Sequence, residues 1–375
     1  MSGTTSLTQM QLLGVASETN VAEGYPRFTL TPSQQAIVDR FPELLAEATT
    51  TPYPQLEARA HRAFFEALGQ RSAPVGSGRI LSFYSSTVAT DVVAGCLTKV
   101  TRRVALVNPV IDCIPALLRH RGMELVAIGE RRLAAEDPLA GLGDVGAVMT
   151  ANPNNPTGTF LGASALRRLA EACAARGIVL VIDACFRAFE GRTQFDSYEV
   201  LDATGVDYVV IEDTGKLWPT GGIKLGFLVV SAGSSLAVPD VAADILLTAP
   251  PFSVAVVEKF ALDMGNGGLA ALHEHIAANR AILRHELARS AVARLADGDS
   301  SVSVSRIELP RGMSSTRLWG QLLRLGVHSV PCRPFYWARP STGERYLRIA
   351  LAREPDVVQR AARAVLKALD VEAAA

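Results

Sequence analysis

Short apolar runs, most of them rich in β-branched residues, recur between residues 79 and 230, separated by polar turns and by stretches with helical spacing. Seven of them read as strands: Arg79–Tyr84, Arg103–Asn108, Glu124–Ile128, Val145–Met149, Ile178–Asp183, Tyr208–Ile211 and Phe227–Val230. Runs this short and this continuously apolar are expected of strands buried on both faces. Ile114–Gly122 and Ala163–Arg176 carry the spacing of helices between strands. The alternation predicts an α/β fold with a mostly parallel, helix-covered sheet, and chemical groups just past the strand carboxyl ends. Upstream, residues 31–69 are helical in pattern: Thr31 precedes Pro32 as a cap, and Glu57–Leu68 is amphipathic and stopped by Gly69. Downstream, Asp240–Asp263 reads as a helix broken at Pro250-Pro251, followed by a long helix over Leu269–Leu295. Ser301–Leu309, Val327–Val330 and Tyr346–Leu351 read as strands and Val357–Leu369 as a closing helix, a second and smaller α/β unit.

The first residues form an arm. Ser6 and Gln9 have capping-box spacing, and Met10, Leu12, Leu13 and Ala16 are expected on one side of the short helix that follows. A helix so short is marginal in water, so it is expected to order by packing, as a lid over bound substrate. The expected division is an arm over residues 1–30, a large unit over 31–265 and a smaller C-terminal unit over 266–375.

Composition narrows the class. The 375 residues are 49% hydrophobic with zero formal net charge, which speaks against nucleic acid or an anionic membrane surface as partner. The five cysteines are scattered without metal-ligand spacing, so reduced thiols in a cytoplasm and no metal site are expected. No secretory leader pattern and no apolar run of membrane-spanning length is present.

The chemistry concentrates past predicted strand ends. Tyr208–Ile211 leads into Glu212-Asp213-Thr214-Gly215-Lys216-Leu217-Trp218-Pro219, a loop that sets one lysine between two buried strands. Desolvation is expected to lower the pKa of Lys216 and make it an amine nucleophile. Asn152-Pro153-Asn154-Asn155-Pro156-Thr157-Gly158 follows an earlier strand, and Ile178–Ile182 ends in Asp183. Ser85, Ser86 and Thr87 lie where a strand meets a helix start, a natural anion site.

This order of motifs resembles the fold-type I enzymes of pyridoxal phosphate (PLP), the aspartate aminotransferase superfamily. The resemblance implies a fold-type I PLP-dependent transferase with a seven-stranded, mostly parallel sheet, working as a homodimer. It assigns Lys216 as the residue that carries PLP through an imine, Asp183 as the carboxylate beside the pyridine nitrogen, and Asn155 as partner of the ring oxygen. Ser85, Ser86, Thr87 and Lys224 would hold the phosphate, and Arg348 the substrate α-carboxylate. Phe186 stands where aminotransferases carry a tyrosine bonded to the ring oxygen, and Asp213 where they carry a serine.

Those two departures, with Pro331-Cys332-Arg333-Pro334-Phe335-Tyr336-Trp337, resemble a narrower group over nearly the whole chain: the PLP- and oxygen-dependent L-arginine oxidases/hydroxylases. That family implies oxidation of L-arginine by dioxygen to 2-ketoarginine and 4-hydroxy-2-ketoarginine, with ammonia and hydrogen peroxide, and without metal or flavin. Asp213, Glu23 and Thr8 match its substrate-binding positions. Gln11 replaces a family glutamate, Tyr25 a family histidine, and Ile111 the aromatic residue stacked on PLP. Because a tyrosine of pKa about 10 is a poor base near neutrality, oxidative deamination without hydroxylation is an alternative outcome. A conventional aminotransferase for a basic amino acid is a second alternative, and a ligand-binding module without turnover a third.

Overall fold

The computed structural model describes residues 6–15, 17–290 and 293–374. Its strands in chain order are β1 (Thr19–Asn20), β2 (Ile80–Phe83), β3 (Arg103–Asn108), β4 (Glu124–Gly129), β5 (Ala147–Ala151), β6 (Val179–Asp183) and β7 (Tyr208–Asp213). They continue with β8 (Gly226–Val230), β9 (Arg294–Leu295), β10 (Val304–Glu308), β11 (Val327–His328), β12 (Val330–Pro331) and β13 (Tyr346–Ala350).

The seven predicted strands form one seven-stranded sheet in the order β2-β8-β7-β6-β5-β3-β4. All neighbours are parallel except β8, which runs against β2 and β7. Strands β5, β7 and β8 are buried along their whole length, as continuous apolar runs require. Helices cover the sheet, among them Ser86–Leu97, Ala163–Ala175 and Tyr53–Ala67, the last packed on Pro251–Asp263. Parallel neighbours place the carboxyl ends of β3, β5, β6 and β7 on one side, so the loops bearing Asp112, Asn155, Asp183 and Lys216 converge there.

A four-stranded antiparallel sheet, β12-β13-β10-β9, forms separately. Its β13 is an inner strand, paired to β10 at Arg306↔Arg348 and to β12 at Val330↔Arg348. The run read as one strand over Val327–Val330 divides: β11 pairs in parallel with β1 of the arm, while β12 joins β13. The expected helix over Leu269–Leu295 stops at Leu287, and Arg294–Leu295 forms edge strand β9 beside Glu308 and Ile307. Apolar and charged residues there serve a short antiparallel pair as well as a helix, so pattern alone misplaces the end. Helix Ser315–Arg324, capped by Ser314, was not foreseen.

The arm helix is Leu7–Leu13, with both bonds of the capping box formed between Ser6 and Gln9. Its packed face is Leu7 and Met10, against Val330, Cys332, Phe335 and Tyr336. Leu12 and Leu13, expected on the packed side, are exposed instead, and Ala16 lies outside the described residues. Gly14 ends the helix after two turns, leaving a single i, i+3 pair to face the protein.

Candidate active site

The site is assembled from strand ends. Asp183 closes β6 and is half-buried, with Oδ1 accepting the Cys185 backbone N–H at 3.0 Å. Burial pushes its carboxyl above the usual range, against the pull of Cys185 and Lys216. No cation makes an ion pair with it among the described residues.

Lys216 lies in the turn after β7, its Nζ 3.3 Å from Asp213 Oδ2. Burial acts to lower the Lys216 pKa, but Asp213, Cys185 and Tyr25 act the other way and the net shift is upward. The expected lowering is therefore overturned in the protein alone: a neighbouring carboxylate outweighs desolvation. Asp213 is buried and also accepts from Ser86 Oγ and the Gly215 N–H, so the cation it meets is the chain's own lysine. Behind it, Glu212 forms a buried pair with Arg187 at 2.8 Å.

The strap Asn20–Arg27 crosses the opening. A Cβ on Gly24 would stand 3.4 Å from Lys216 Cδ and 3.9 Å from Phe186 Cζ, so the bare backbone there lies against both side chains. Tyr25 sits between two ammonium groups, with Lys216 Nζ 4.8 Å and Lys224 Nζ 4.1 Å from its ring centre. Its hydroxyl accepts from Lys224. Arg353, buried, holds the strap from beneath: Nη2 donates to Glu23 O at 2.7 Å, Nε to Asn20 O and Nη1 to Tyr25 O, both at 2.5 Å. Burial lowers its pKa to about 9, with Glu23 opposing. Glu23 is ion-paired with Arg27.

Arg348 rises from β13. Its Nη1 donates to Asn155 Oδ1 at 3.2 Å, Nη2 donates to Ala22 O, and buried Nε has no partner. Burial lowers its pKa to about 10. With Oδ1 so engaged, Asn155 keeps its amide N–H groups as donors.

These groups surround a cavity of about 330 Å³. Thr8, Gln11, Glu23, Tyr25, Ser86, Thr87, Ile111, Asn155, Asp183, Phe186, Lys216 and Arg348 all line it, as the sequence reading grouped them. Three chosen residues do not. Ser85 spends its hydroxyl capping the Val88 N–H at 3.3 Å, Lys224 is turned to Tyr25, and Asp213 lies beneath Lys216. Asp112, Cys113 and Cys185 line the cavity and were missed, although Asp112 lies past the end of β3, where the strand-end rule directs attention.

The residues present fit PLP. A cavity near 330 Å³ is in the range of small-ligand sites. A Cβ on Gly226 would come within 2.4 Å of the Ser86 backbone N, so this glycine lets the start of helix Ser86–Leu97 close onto β8, with Ser86 and Thr87 facing the cavity as an anion cradle. Asp183 is a desolvated carboxylate that could face a protonated pyridine nitrogen, and Lys216 an amine that could meet an aldehyde.

The chain belongs to the aminotransferase class I and II family, whose sequence model matches residues 20–365. That family is PLP-dependent, and PLP is the cofactor of this protein. Within it, the fold is similar to MppP, solved after soaking with its product 2-ketoarginine: TM-score 0.92 and 42% identity, covering 94% of this chain and 99% of that one. Aspartate aminotransferase from Thermus thermophilus shares the fold at TM-score 0.80 and 15% identity, over 98% of this chain and 97% of that one. The histidinol-phosphate aminotransferase of Symbiobacterium thermophilum is 33% identical over 190 residues, 49% of this chain and 47% of its own. Matches to the first curated relatives span only 27–59% of those proteins' length. No single helix is long and apolar enough to cross a membrane among the described residues.

Proposed function

We propose that the protein is a PLP-dependent oxidase of L-arginine or a close cationic amino acid. The reaction is L-arginine + O2 + H2O giving 2-ketoarginine, ammonia and hydrogen peroxide. The observation that carries this reading is the likeness, over 94% of the chain, to a protein soaked with its product 2-ketoarginine. Bound PLP supplies an electron sink conjugated to the substrate α-carbon.

The chain's residues take these roles. Lys216 would hold PLP, and its Nζ, once free, would accept the substrate α-proton. Asp213 would hold the Lys216 ammonium. Asp183 would keep the pyridine nitrogen protonated. Ser86, Thr87 and a reoriented Lys224 would hold the phosphate. Asn155 would donate to the ring oxygen, and Ile111 would pack on the ring. Arg348 grips the α-carboxylate; its unpartnered Nε and planar fork suit that anion. Phe186 would offer the ring oxygen of bound PLP no phenol partner, which would leave its electron density less restrained. Glu23, Gly24 and Tyr25 close the opening against water. Tyr25 stands where the resembling family carries a histidine and brings no imidazole base to the strap, so 2-ketoarginine is the main product. The units of residues 31–265 and 266–375 close around substrate under the arm of residues 1–30, in a cytoplasmic homodimer.

A second reading, transamination of a basic amino acid, is favoured by the aminotransferases among the curated relatives. Incubation with L-arginine in air, and with L-arginine plus 2-oxoglutarate under nitrogen, separates the two by mass spectrometry. The oxidase reading expects 2-ketoarginine and peroxide in air alone. Full turnover under nitrogen with 2-oxoglutarate refutes it.

A further inference from the structure

The loop that carries Asn155 is gripped from outside. Its backbone closes on itself, with the Asn154 N–H donating to Thr159 O at 2.8 Å and the Gly158 N–H to Asn154 O at 2.7 Å. Those bonds fix the turn but not the direction of its side chains. Glu130, the first residue past β4, lies outside the residues that line the cavity. It is half-buried, and its Oε1 accepts both Asn154 Nδ2, at 2.7 Å, and Thr157 Oγ1. Asn154 and Thr157 stand on either side of Asn155-Pro156, so one carboxylate holds both flanks of the residue assigned to the ring oxygen.

Asn154 is itself buried; its Nδ2 also donates to Pro109 O at 2.7 Å, and its Oδ1 has no partner among the described residues. The two donor bonds therefore set the way the amide faces. Turned over, its oxygen would stand against a carbonyl and a carboxylate, neither of which can donate. Pro109 opens the loop that carries Ile111, so Asn154 ties two walls of the cavity together. Burial pushes the Glu130 carboxyl upward, while Thr157, Asn154, Arg306 and Thr159 oppose. Arg306 lies on β10 directly opposite Arg348 on β13, and residues so paired share a face of the sheet. The small sheet thus presents one arginine to Asn155 and another toward the carboxylate behind it. We propose that Glu130 is a positioning residue: by holding Asn154 and Thr157 it fixes the direction in which Asn155 donates to the ring oxygen of PLP. This deepens the reading of Asn155 as the ring-oxygen donor and rests on it.

The test follows the absorbance of bound PLP against pH in the purified holoenzyme, with Tm measured alongside. Asn155→Ala removes the donor and is expected to move the midpoint by about 1 pH unit, the worth of one hydrogen bond to a charged group. Glu130→Ala is expected to move it in the same direction by at least roughly half as much, and to move it no further in protein that already carries Asn155→Ala. Glu130→Gln keeps an oxygen for Asn154 and Thr157, and its midpoint is expected to stay near the parent's. A Glu130→Ala protein that loses Tm but keeps the parent's midpoint makes Glu130 a structural anchor alone and overturns the proposal. So does the full Glu130→Ala shift in the Asn155→Ala background, or a Glu130→Gln protein that behaves like Glu130→Ala. An Asn155→Ala protein with the parent's midpoint removes the ring-oxygen reading, and the proposal with it. Should Glu130→Ala not fold, Thr157→Val takes away one of the two bonds that Glu130 accepts and carries the test, since an unmoved midpoint in that variant also overturns the proposal.

Discussion

The charge on Lys216 before cofactor capture is set by Asp213, and Asp213→Asn measures how strongly. The two groups stand 3.3 Å apart, in a pocket where burial alone lowers the amine's pKa. At an effective dielectric of about 20, a pair at that distance interacts by about 5 kcal/mol. Asparagine keeps an oxygen for the Gly215 N–H and an amide for Ser86 but removes the charge. At about 1.4 kcal/mol per pH unit, the midpoint of Lys216 titration is expected to fall by roughly 3.5 pH units. Only the neutral amine attacks the PLP aldehyde. The assay is therefore the rate at which apoprotein captures PLP, followed by absorbance against pH. In the parent the rate should climb throughout the alkaline range, because Asp213 holds the proton on. In the variant the climb should move to lower pH and the rate near pH 7 should rise, roughly tenfold or more if even a third of that Coulomb interaction acts on the amine. Ser86→Ala, which breaks the Ser86 bond to Asp213 and leaves the charge, should not shift the profile. A variant midpoint within about one pH unit of the parent's would refute the claim that Asp213 outweighs desolvation.

Three further outcomes are expected. His61 is buried, with Nε2 2.9 Å from Ser82 Oγ and 3.9 Å from Glu57, and burial lowers its pKa to about 3. The unfolded chain binds a proton below about pH 6.5 while the folded one does not, so stability is lost by about 1.4 kcal/mol per pH unit as pH falls from there toward 3; the Tm of His61→Gln should fall less steeply than the parent's between pH 6 and 4.5, and parallel curves would contradict this. Gly226→Ala forces a methyl group to within 2.4 Å of the Ser86 backbone, so Tm should drop by several degrees and the PLP Kd should rise, both measured on the same preparation. Arg353→Lys removes most of the bonds to the Asn20, Glu23 and Tyr25 carbonyls; the KM for arginine should rise about tenfold while the PLP Kd stays near the parent's, and an unaltered KM would show that the strap holds itself.

The layout of the large sheet was readable because its strands are continuously apolar and its helices amphipathic. Period and length separate those two patterns without knowledge of the neighbours. The order Asn155, Asp183, Lys216 was readable for the same reason: each follows a strand end, and parallel strands bring such ends together. Partner choice was not readable. Nothing in the order of residues says that Asp213 meets Lys216, that Glu23 meets Arg27, or that Lys224 turns to Tyr25. Nor does it say that the 327–330 run serves two sheets, or that Arg294–Leu295 leaves the helical pattern for β9. Sequence determines which side chains can be charged and which runs must leave water, since both are properties of residues and their near neighbours. Which charge cancels which, and so whether Lys216 loses or keeps its proton, depends on distances between segments remote in the chain, and only the folded structure decides those.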